Sequence, residues 1–246
     1  MMPESTLFQV STSRSLVAGV YDGVVSVADL LHHGDFGLGT FAALDGEMVV
    51  LESVVYQATG DGAVKCADPM TKTPFAAVTR FNCEATRSIG SVRAFDDLTA
   101  ACDELRRSDN LFYAFRVDGR FDLVHVRATT PVRSSGIALT EVVANQTVEF
   151  AFPDVVGTLV GIWSPPYSAA LCVPEYHFHF ISADRSKGGH VLGCQGSDLG
   201  LQCQTLETFQ LSLAGSEDFL KADLSKDTSG DLIAVETFST TTAAEE

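Results

Sequence analysis

Three of the six histidines in this chain lie close together, at His177, His179 and His190. Successive side chains of a strand point to opposite faces, so His177 and His179 share one face, and Phe178 and Phe180 share the other. The polar segment 182–189 ends in two glycines, which favours a reversal of the chain. A return strand that begins at His190 would bring the third imidazole beside the first two.

Three imidazoles on one rigid hairpin are a ligand set for a divalent metal ion. Three protein nitrogens leave one position on zinc open for water or substrate, which is the arrangement of catalytic zinc sites. Zinc is the first choice for such a set, although iron, nickel, cobalt and copper also accept imidazole. A single histidine is more often a surface or hydrogen-bonded residue, but three in register among aromatic residues favour a metal site over coincidence.

The composition limits what such a site can act on. The chain has 246 residues, of which 46% are hydrophobic, enough for one large domain or two small ones. Its 16 basic and 32 acidic residues give a net charge of -16. Such a surface repels phosphate backbones, so nucleic acid is not an expected partner. An anionic substrate would need a local cation, either the metal or an arginine.

The chain shows no targeting or membrane signal by pattern. No apolar run approaches the roughly 20 residues of a membrane span. The first residues lack a basic region followed by an apolar core, so no signal peptide and no membrane association are expected. The six cysteines are scattered without a Cys-x-x-Cys pair, which is typical of reduced thiols in a cytoplasmic protein.

Apolar periodicity predicts a β-dominated α+β chain with two or three helices. One helix is predicted over 26–34, where Ser26 can cap the N-terminus and Asp29 follows three residues later. A second is predicted over 95–107, where apolar residues follow the 3.6-residue period. Less regular parts of the chain are predicted to be a loose arm or early edge strand over 1–15, a strand region over 137–150 and a disordered tail over 237–246.

Two further turns bear on possible site residues. Asp118 and Gly119 predict a hairpin turn between strands over 110–117 and 121–130, whose second arm places Phe121, Leu123, His125 and Arg127 on one face. An arginine in that position is more often an edge or ion-pair residue than a catalytic one.

Asp45 and Gly46 predict a second hairpin turn, which leads into a strand that begins at Glu47. Glu47 shares a strand face with the apolar Val49 and Leu51. It is therefore either a turn residue in water or a site residue, and the pattern alone favours the turn.

Several stretches together resemble the alpha-acetolactate decarboxylase family. They follow one another in the family's order between Leu16 and Glu236 and comprise residues 31–41, 44–48, 73–76, 157–161 and 176–192. The specific combination is the His-x-His pair with a distant histidine, together with Gly-Asp-Phe-Gly over 34–37 and Asp-Gly-Glu over 45–47. The chain departs from the family at Glu175 and Tyr176, where members tend to have glycine before the first ligand.

The resemblance implies an enzyme of acetoin biosynthesis and the butanediol pathway, a carboxy-lyase that converts 2-acetolactate, a 2-hydroxy-3-oxo acid, to acetoin. Zinc would stabilise the enediolate left by loss of carbon dioxide, and the enzyme would be a homodimer. The site residues implied are the metal ligands His177, His179 and His190, the catalytic residues Glu47, Arg127 and Glu236, and the substrate-binding residues Thr40, Leu44 and Arg127.

The resemblance also implies a division into two β-rich domains. The first would be a mixed β-sheet domain with short helices over residues 1–130. The second would be an antiparallel, barrel-like β domain over 131–246 that carries the metal hairpin.

Two other classes of protein fit part of the pattern. A cupin-like metal dioxygenase or isomerase also places His-x-His and a distant histidine in a β-barrel, but it usually has a glutamate three or four residues beyond the pair. Here Ala183 and Asp184 lie near that point, which counts against this class. A non-catalytic β domain that binds a metal or small ligand would bind metal without turning over any acetohydroxy acid.

Overall fold

A computed structural model describes residues 5–133 and 136–236 of the chain. The strands of these residues are β1 (Thr6–Val10), β2 (Val25–Ser26), β3 (Phe36–Thr40), β4 (Glu47–Leu51), β5 (Val54–Ala58), β6 (Val64–Cys66), β7 (Lys72–Thr73), β8 (Ala76–Thr79), β9 (Ala85–Val92), β10 (Phe112–Thr129), β11 (Thr147–Ser164), β12 (Glu175–Ser182), β13 (Gly188–Leu206) and β14 (Thr208–Ser212). The α-helices are α1 (Ser13–Val17), α2 (Val27–Leu31), α3 (Phe95–Asp103), α4 (Leu139–Gln146), α5 (Glu217–Lys221) and α6 (Ser229–Glu236), and 3-10 helices cover Ala42–Leu44 and Pro166–Ser168.

Two large sheets dominate the described residues. The first sheet is mixed, in the order β14-β1-β8-β3-β4-β5-β6, with β1 and β14 parallel and the other neighbours antiparallel. The second is antiparallel, in the order β10-β11-β12-β13-β9, and β10 also pairs with β13. Strands β10 to β13 therefore form a closed circuit of hydrogen-bonded neighbours. The predicted β-dominated class, with a mixed sheet, an antiparallel sheet and few helices, is confirmed.

The two sheets pack face to face. Leu38 and Val49 of the first sheet belong to one buried cluster with Val160 and Ile181 of the second. The opposite side of the second sheet packs with α3 in a separate cluster that includes Phe178 and Phe180. The alternation that the sequence predicted along β12 places its phenylalanines on one side. The structure adds that its histidines, on the other side, face the first sheet.

A small helical layer covers one end of the space between the sheets. Leu139 and Val142 of α4 pack with Val17 of α1 and with Leu232 and Val235 of α6. None of the helices within 5–133 and 136–236 is long and apolar enough to cross a membrane.

The predicted hairpin around Asp118 and Gly119 is wrong. Strand β10 continues without a turn through both residues and pairs with β11 along most of its length. A Cβ on Gly119 would come 2.6 Å from Leu199 of the neighbouring strand. The glycine therefore allows a close approach between strands rather than a reversal.

The predicted face of that segment is also broken by irregular pairing. Register shifts interrupt the β10–β13 ladder between Phe121 and Leu123 and again between His125 and Val126. Phe121 consequently packs in the same cluster as Val126. Strict alternation does not survive such bulges, because each added residue reverses the side to which the following side chains point.

Two other parts of the chain differ from expectation. Within the predicted segment 1–15, the described residues form neither a loose arm nor an edge strand, because β1 lies between β14 and β8. Its polar Gln9 is satisfied inside the protein, where the side-chain amide donates to the carbonyls of Ser11 and Leu171. Residues 137–150 contain α4 before β11 begins, and the sequence analysis missed the helical spacing of Leu139, Val142 and Val143.

The predicted helices are placed correctly, and α2 starts as proposed. Ser26 caps it by accepting from the backbone N–H of Asp29, whose carboxylate in turn accepts from the Ser26 hydroxyl.

The division into domains at residue 130 stays a prediction. The sheets themselves divide differently, since β9 and β10 belong to the second sheet and β14 to the first.

Gly161 of β11 leaves room for an aromatic side chain of the hairpin formed by β12 and β13, which leads to a stability prediction. Gly161 pairs with Phe178, and a Cβ there would overlap the Phe178 ring. We expect Gly161→Ala to lower the free energy of unfolding by about 1–3 kcal/mol through overpacking, as measured by denaturant unfolding. Gly193→Ala is the matched control, because an added Cβ would meet no atom within 4 Å. Equal stability of the two variants would contradict the prediction.

Candidate metal centre

The three histidines meet in the space between the two sheets. His177 and His179 lie on β12, and His179 is paired with His190 on the adjacent β13. All three are buried, with exposed fractions of 8%, 1% and 4%. The pairing of neighbouring strands, and not the helical layer, sets the relative position of these imidazoles.

The imidazole nitrogens converge at distances that suit a metal ion. His177 Nε2 lies 3.0 Å from His179 Nε2 and 3.1 Å from His190 Nδ1. Tetrahedral zinc with Zn–N bonds of about 2.0–2.1 Å would hold its ligand nitrogens about 3.3 Å apart. The three side chains could therefore hold a metal ion after small adjustments.

A backbone carbonyl orients one of the three rings. His179 Nδ1 lies 2.8 Å from the carbonyl oxygen of Met48 on β4. A carbonyl only accepts, so Nδ1 carries the hydrogen, and in the neutral ring Nε2 keeps its lone pair toward the other histidines. Hydrogen bonds of this kind fix the tautomer and orientation of metal-binding histidines. This contact also joins the hairpin to the first sheet.

The environment favours neutral imidazoles. Burial, together with the smaller effect of the nearby Arg127 guanidinium, lowers the pKa of His177 to about 3. Burial, followed by the charges of His177 and Arg127, holds the pKa of His179 well below its usual value. Burial and Arg127 do the same to the pKa of His190. Neutral imidazole is the form that binds a metal ion.

These lowered pKa values predict acid sensitivity of the metal-free protein. Below about pH 6.5 the unfolded chain protonates its histidines, while buried His177 stays neutral down to about pH 3. The unfolded state then binds more protons, so the free energy of unfolding falls as the pH falls. The slope is at most about 1.4 kcal/mol per pH unit for each such histidine.

Denaturant unfolding of chelator-treated protein between pH 7 and pH 5.5 measures this slope. His177→Gln removes one titrating group and should make the slope shallower. An unchanged slope in that variant would exclude His177 as a source of the acid sensitivity.

Glu47 lies beside the three histidines. It is the first residue of β4, it is 8% exposed, and its Oε2 lies 3.7 Å from His179 Nε2. Its strand neighbours Val49 and Leu51 belong to the cluster between the sheets, so its face is the one directed at the second sheet. The interpretation of Glu47 as a turn residue in water is therefore wrong.

Arg127 reaches the site from β10. It is paired with His190 on one side and with Glu149 of β11 on the other, so all three side chains leave the sheet in the same direction. Arg127 is 8% exposed and lines the same cavity as the histidines. A buried guanidinium beside neutral imidazoles gives this cavity a fixed positive charge in an acidic protein.

Thr40 and Leu44 come to the site through the loop between β3 and β4. Thr40 is paired with Glu47, so the loop covers residues 41–46 and is not the two-residue turn that Asp45 and Gly46 predicted. Ala43 and Leu44 have φ angles of 60° and 52°, a conformation that non-glycine residues rarely adopt. This backbone places Leu44 in the cavity wall.

Thr129 supports that loop and was missed by the sequence analysis. Its hydroxyl donates to the carbonyl of Leu44 at 2.7 Å and lies 3.4 Å from Glu47 Oε1. It is two residues beyond Arg127 on β10, so alternation from Arg127 would have placed it on the same face. The carbonyl of Met48 was also missed, because a backbone hydrogen-bond acceptor leaves no side-chain signal.

Two residues considered from the sequence remain, Glu236 and Asp184. Glu236 is the last residue of α6, whose preceding residue Val235 lines the cavity, but the Glu236 side chain lies outside the described part of the chain. The tail over 237–246 lies outside the described residues as well. Asp184, considered for the cupin-like alternative, accepts hydrogen bonds from Ser182 and Ser186 in the turn between β12 and β13.

The hairpin is entered through an unusual backbone conformation. Glu175 has a φ of 62°. It stands where members of the family that the sequence resembles tend to have glycine. Glycine adopts this conformation without steric cost, whereas glutamate does not. The chain nevertheless keeps the turn that leads into His177.

The histidines, Glu47, Arg127, Thr40 and Leu44 line one cavity of about 50 Å³. Its remaining described lining is mostly apolar and comes from the loops and the helical layer: Leu16, Gly39, Phe75, Thr129, Leu139, Val143, Val173 and Val235. A polar end with candidate metal ligands and one cation thus faces an apolar end, which suits a small anionic molecule with alkyl groups.

Comparison with known proteins identifies one family. A family model described as alpha-acetolactate decarboxylase matches residues 7–226. The chain is 40% identical over 230 residues to the alpha-acetolactate decarboxylase of Methanosarcina mazei, covering 94% of this chain and 80% of that protein. It is 39% identical over 222 residues to that of Klebsiella aerogenes, covering 90% and 85%. The crystal structure of alpha-acetolactate decarboxylase from Bacillus subtilis strain 168 superposes with a TM-score of 0.91 at 32% identity, covering 96% of this chain and 100% of that one.

Proposed function

This chain belongs to the alpha-acetolactate decarboxylase family and is a carboxy-lyase, and on that premise we propose that it converts 2-acetolactate to acetoin at the three-histidine centre. The observation that carries the proposal is the convergence of His177, His179 and His190 in a buried cavity that Arg127 and Glu47 also line.

The reaction requires three things of the site. The bond between the carboxylate carbon and the adjacent carbinol carbon must break, with its electron pair moving into the neighbouring ketone. Carbon dioxide leaves, and the resulting enediolate must receive a proton at carbon to give acetoin. A divalent metal held by the three histidines would supply the Lewis acid that stabilises the developing oxyanion.

The protein's own residues have the remaining roles. Arg127 offers a planar, permanently charged group that binds the substrate carboxylate in a fixed orientation. Glu47 lies within reach of the histidine centre and is the candidate for moving a proton to or from the substrate. Glu236 is proposed for the same task, while Thr40 and Leu44 shape the wall of the cavity.

Zinc is the metal proposed for this centre. Three neutral imidazole nitrogens within 4.8 Å of one another, with His177 Nε2 3.0 and 3.1 Å from the other two, would leave one position for substrate, as in catalytic zinc sites. Other divalent metals also accept imidazole. Metal analysis of the purified protein measures which metal is bound and how many ions each chain holds.

The direct test is release of carbon dioxide and acetoin from 2-acetolactate. We expect turnover that a chelator removes and that added Zn²⁺ restores. Metal-loaded protein that releases neither product would reject the proposed function and favour a metal-binding domain without catalytic activity.

The homodimer and the cytoplasmic location stay predictions from the sequence. Light scattering at micromolar concentration tests the homodimer, since a monomeric mass would contradict it. Fractionation of cells that express the native protein tests the cytoplasmic location.

A further inference from the structure

Two cavities meet at this site, and we propose that Val143, in the wall between them, determines how large an alkyl group the substrate can carry at its reacting carbon. This inference rests on the proposed function. It adds a specificity-determining residue on α4, a helix that contributes none of the three candidate metal ligands.

The cavity that contains the histidines is small. Its volume is about 50 Å³, and one buried water needs roughly 10–15 Å³ on a comparable scale. A second cavity of about 560 Å³ lies beside it. The described residues that line both are Arg127, Val143 and Val235. These three side chains therefore lie where a substrate group that outgrows the inner cavity can extend into the larger one.

Of the three shared residues, Val143 is the one suited to control size. Arg127 has the proposed role of binding the substrate carboxylate. Val235 is 4% exposed and belongs to the buried cluster of the helical layer. Val143 is only partly buried and packs against the edge of that cluster. Its backbone is held in place, because the Thr147 hydroxyl donates to the Val143 carbonyl at 2.7 Å.

The polarity of the inner cavity orients the substrate toward this wall. The histidines, Glu47 and Arg127 occupy one end and bind the polar groups of a 2-hydroxy-3-oxo acid. The alkyl groups are left to face the apolar lining, which includes Val143 and Leu139. Truncation of Val143 to alanine removes two methyl groups and joins the inner cavity to the larger one.

The test compares 2-acetolactate with its homologue that carries ethyl instead of methyl on the carbinol carbon. We expect Val143→Ala to raise the ratio of kcat/KM for the ethyl substrate over kcat/KM for the methyl substrate by about tenfold, the lower range for one methylene in an apolar pocket. Val143→Leu should lower the same ratio. Because both substrates are measured on one preparation, the ratio does not depend on the fraction of active enzyme.

Val142→Ala is the matched control. Val142 is on the same helix and is fully buried, but it is not among the described residues that line either cavity. Its truncation should leave the ratio unchanged while lowering stability. An unchanged ratio in folded, metal-loaded Val143→Ala, or an equal change in Val142→Ala, overturns the inference while leaving the decarboxylase function intact. Absence of turnover with both substrates in the wild-type protein overturns the proposed function and this inference with it.

Discussion

His179→Ala is expected to remove bound metal and decarboxylation together. His179 is the most buried of the three histidines, and its ring is fixed by the hydrogen bond to the Met48 carbonyl. Loss of this imidazole leaves two nitrogen ligands, fewer than the three protein ligands of a catalytic zinc site. We expect substoichiometric metal after dialysis and turnover lowered by at least about 10³-fold, since a site without metal lacks the group that stabilises the oxyanion.

Metal content by mass spectrometry and acetoin formation are measured on the same sample. His179→Gln preserves more side-chain volume and separates loss of the ligand from loss of packing. His32→Ala is the control, because His32 is exposed at the end of α2. Full metal occupancy in both His179 variants would exclude His179 as a ligand.

Arg127→Lys is expected to keep the metal and lose the reaction. The substitution retains a positive charge but replaces a planar group that has several donors with a compact ammonium. If the guanidinium positions the carboxylate in the transition state, kcat should fall by about 10²–10³-fold, as for removal of other preorganised donors. Metal content and the unfolding midpoint should stay close to those of the wild type.

The control for this prediction is Arg120→Lys on the same strand. Arg120 is exposed and forms an ion pair with Asp154, so it shares the secondary structure of Arg127 but not its place in the cavity. We expect near-normal kcat in Arg120→Lys. Near-normal kcat in Arg127→Lys would show that Arg127 is a structural arginine of its strand.

The sequence by itself determined the local parts of this protein. The two-residue period of a strand was enough to place His177 and His179 on one face and the phenylalanines on the other, because backbone geometry alone sets this alternation. Ser26 was likewise recognisable as a helix cap, since its partner Asp29 lies within the same turn. Both features depend on residues a few positions apart.

The tertiary structure alone decided the features that depend on distant residues. Gly119 could serve a turn or a close approach, and the neighbouring Leu199 decides between them. Glu47 could face water or a site, and the sheet packed against its face buries it beside His179. Val143 lines the cavity because α4 packs across the end of two sheets. Such choices are fixed by which surfaces meet in the folded chain, and no local spacing of residues encodes that.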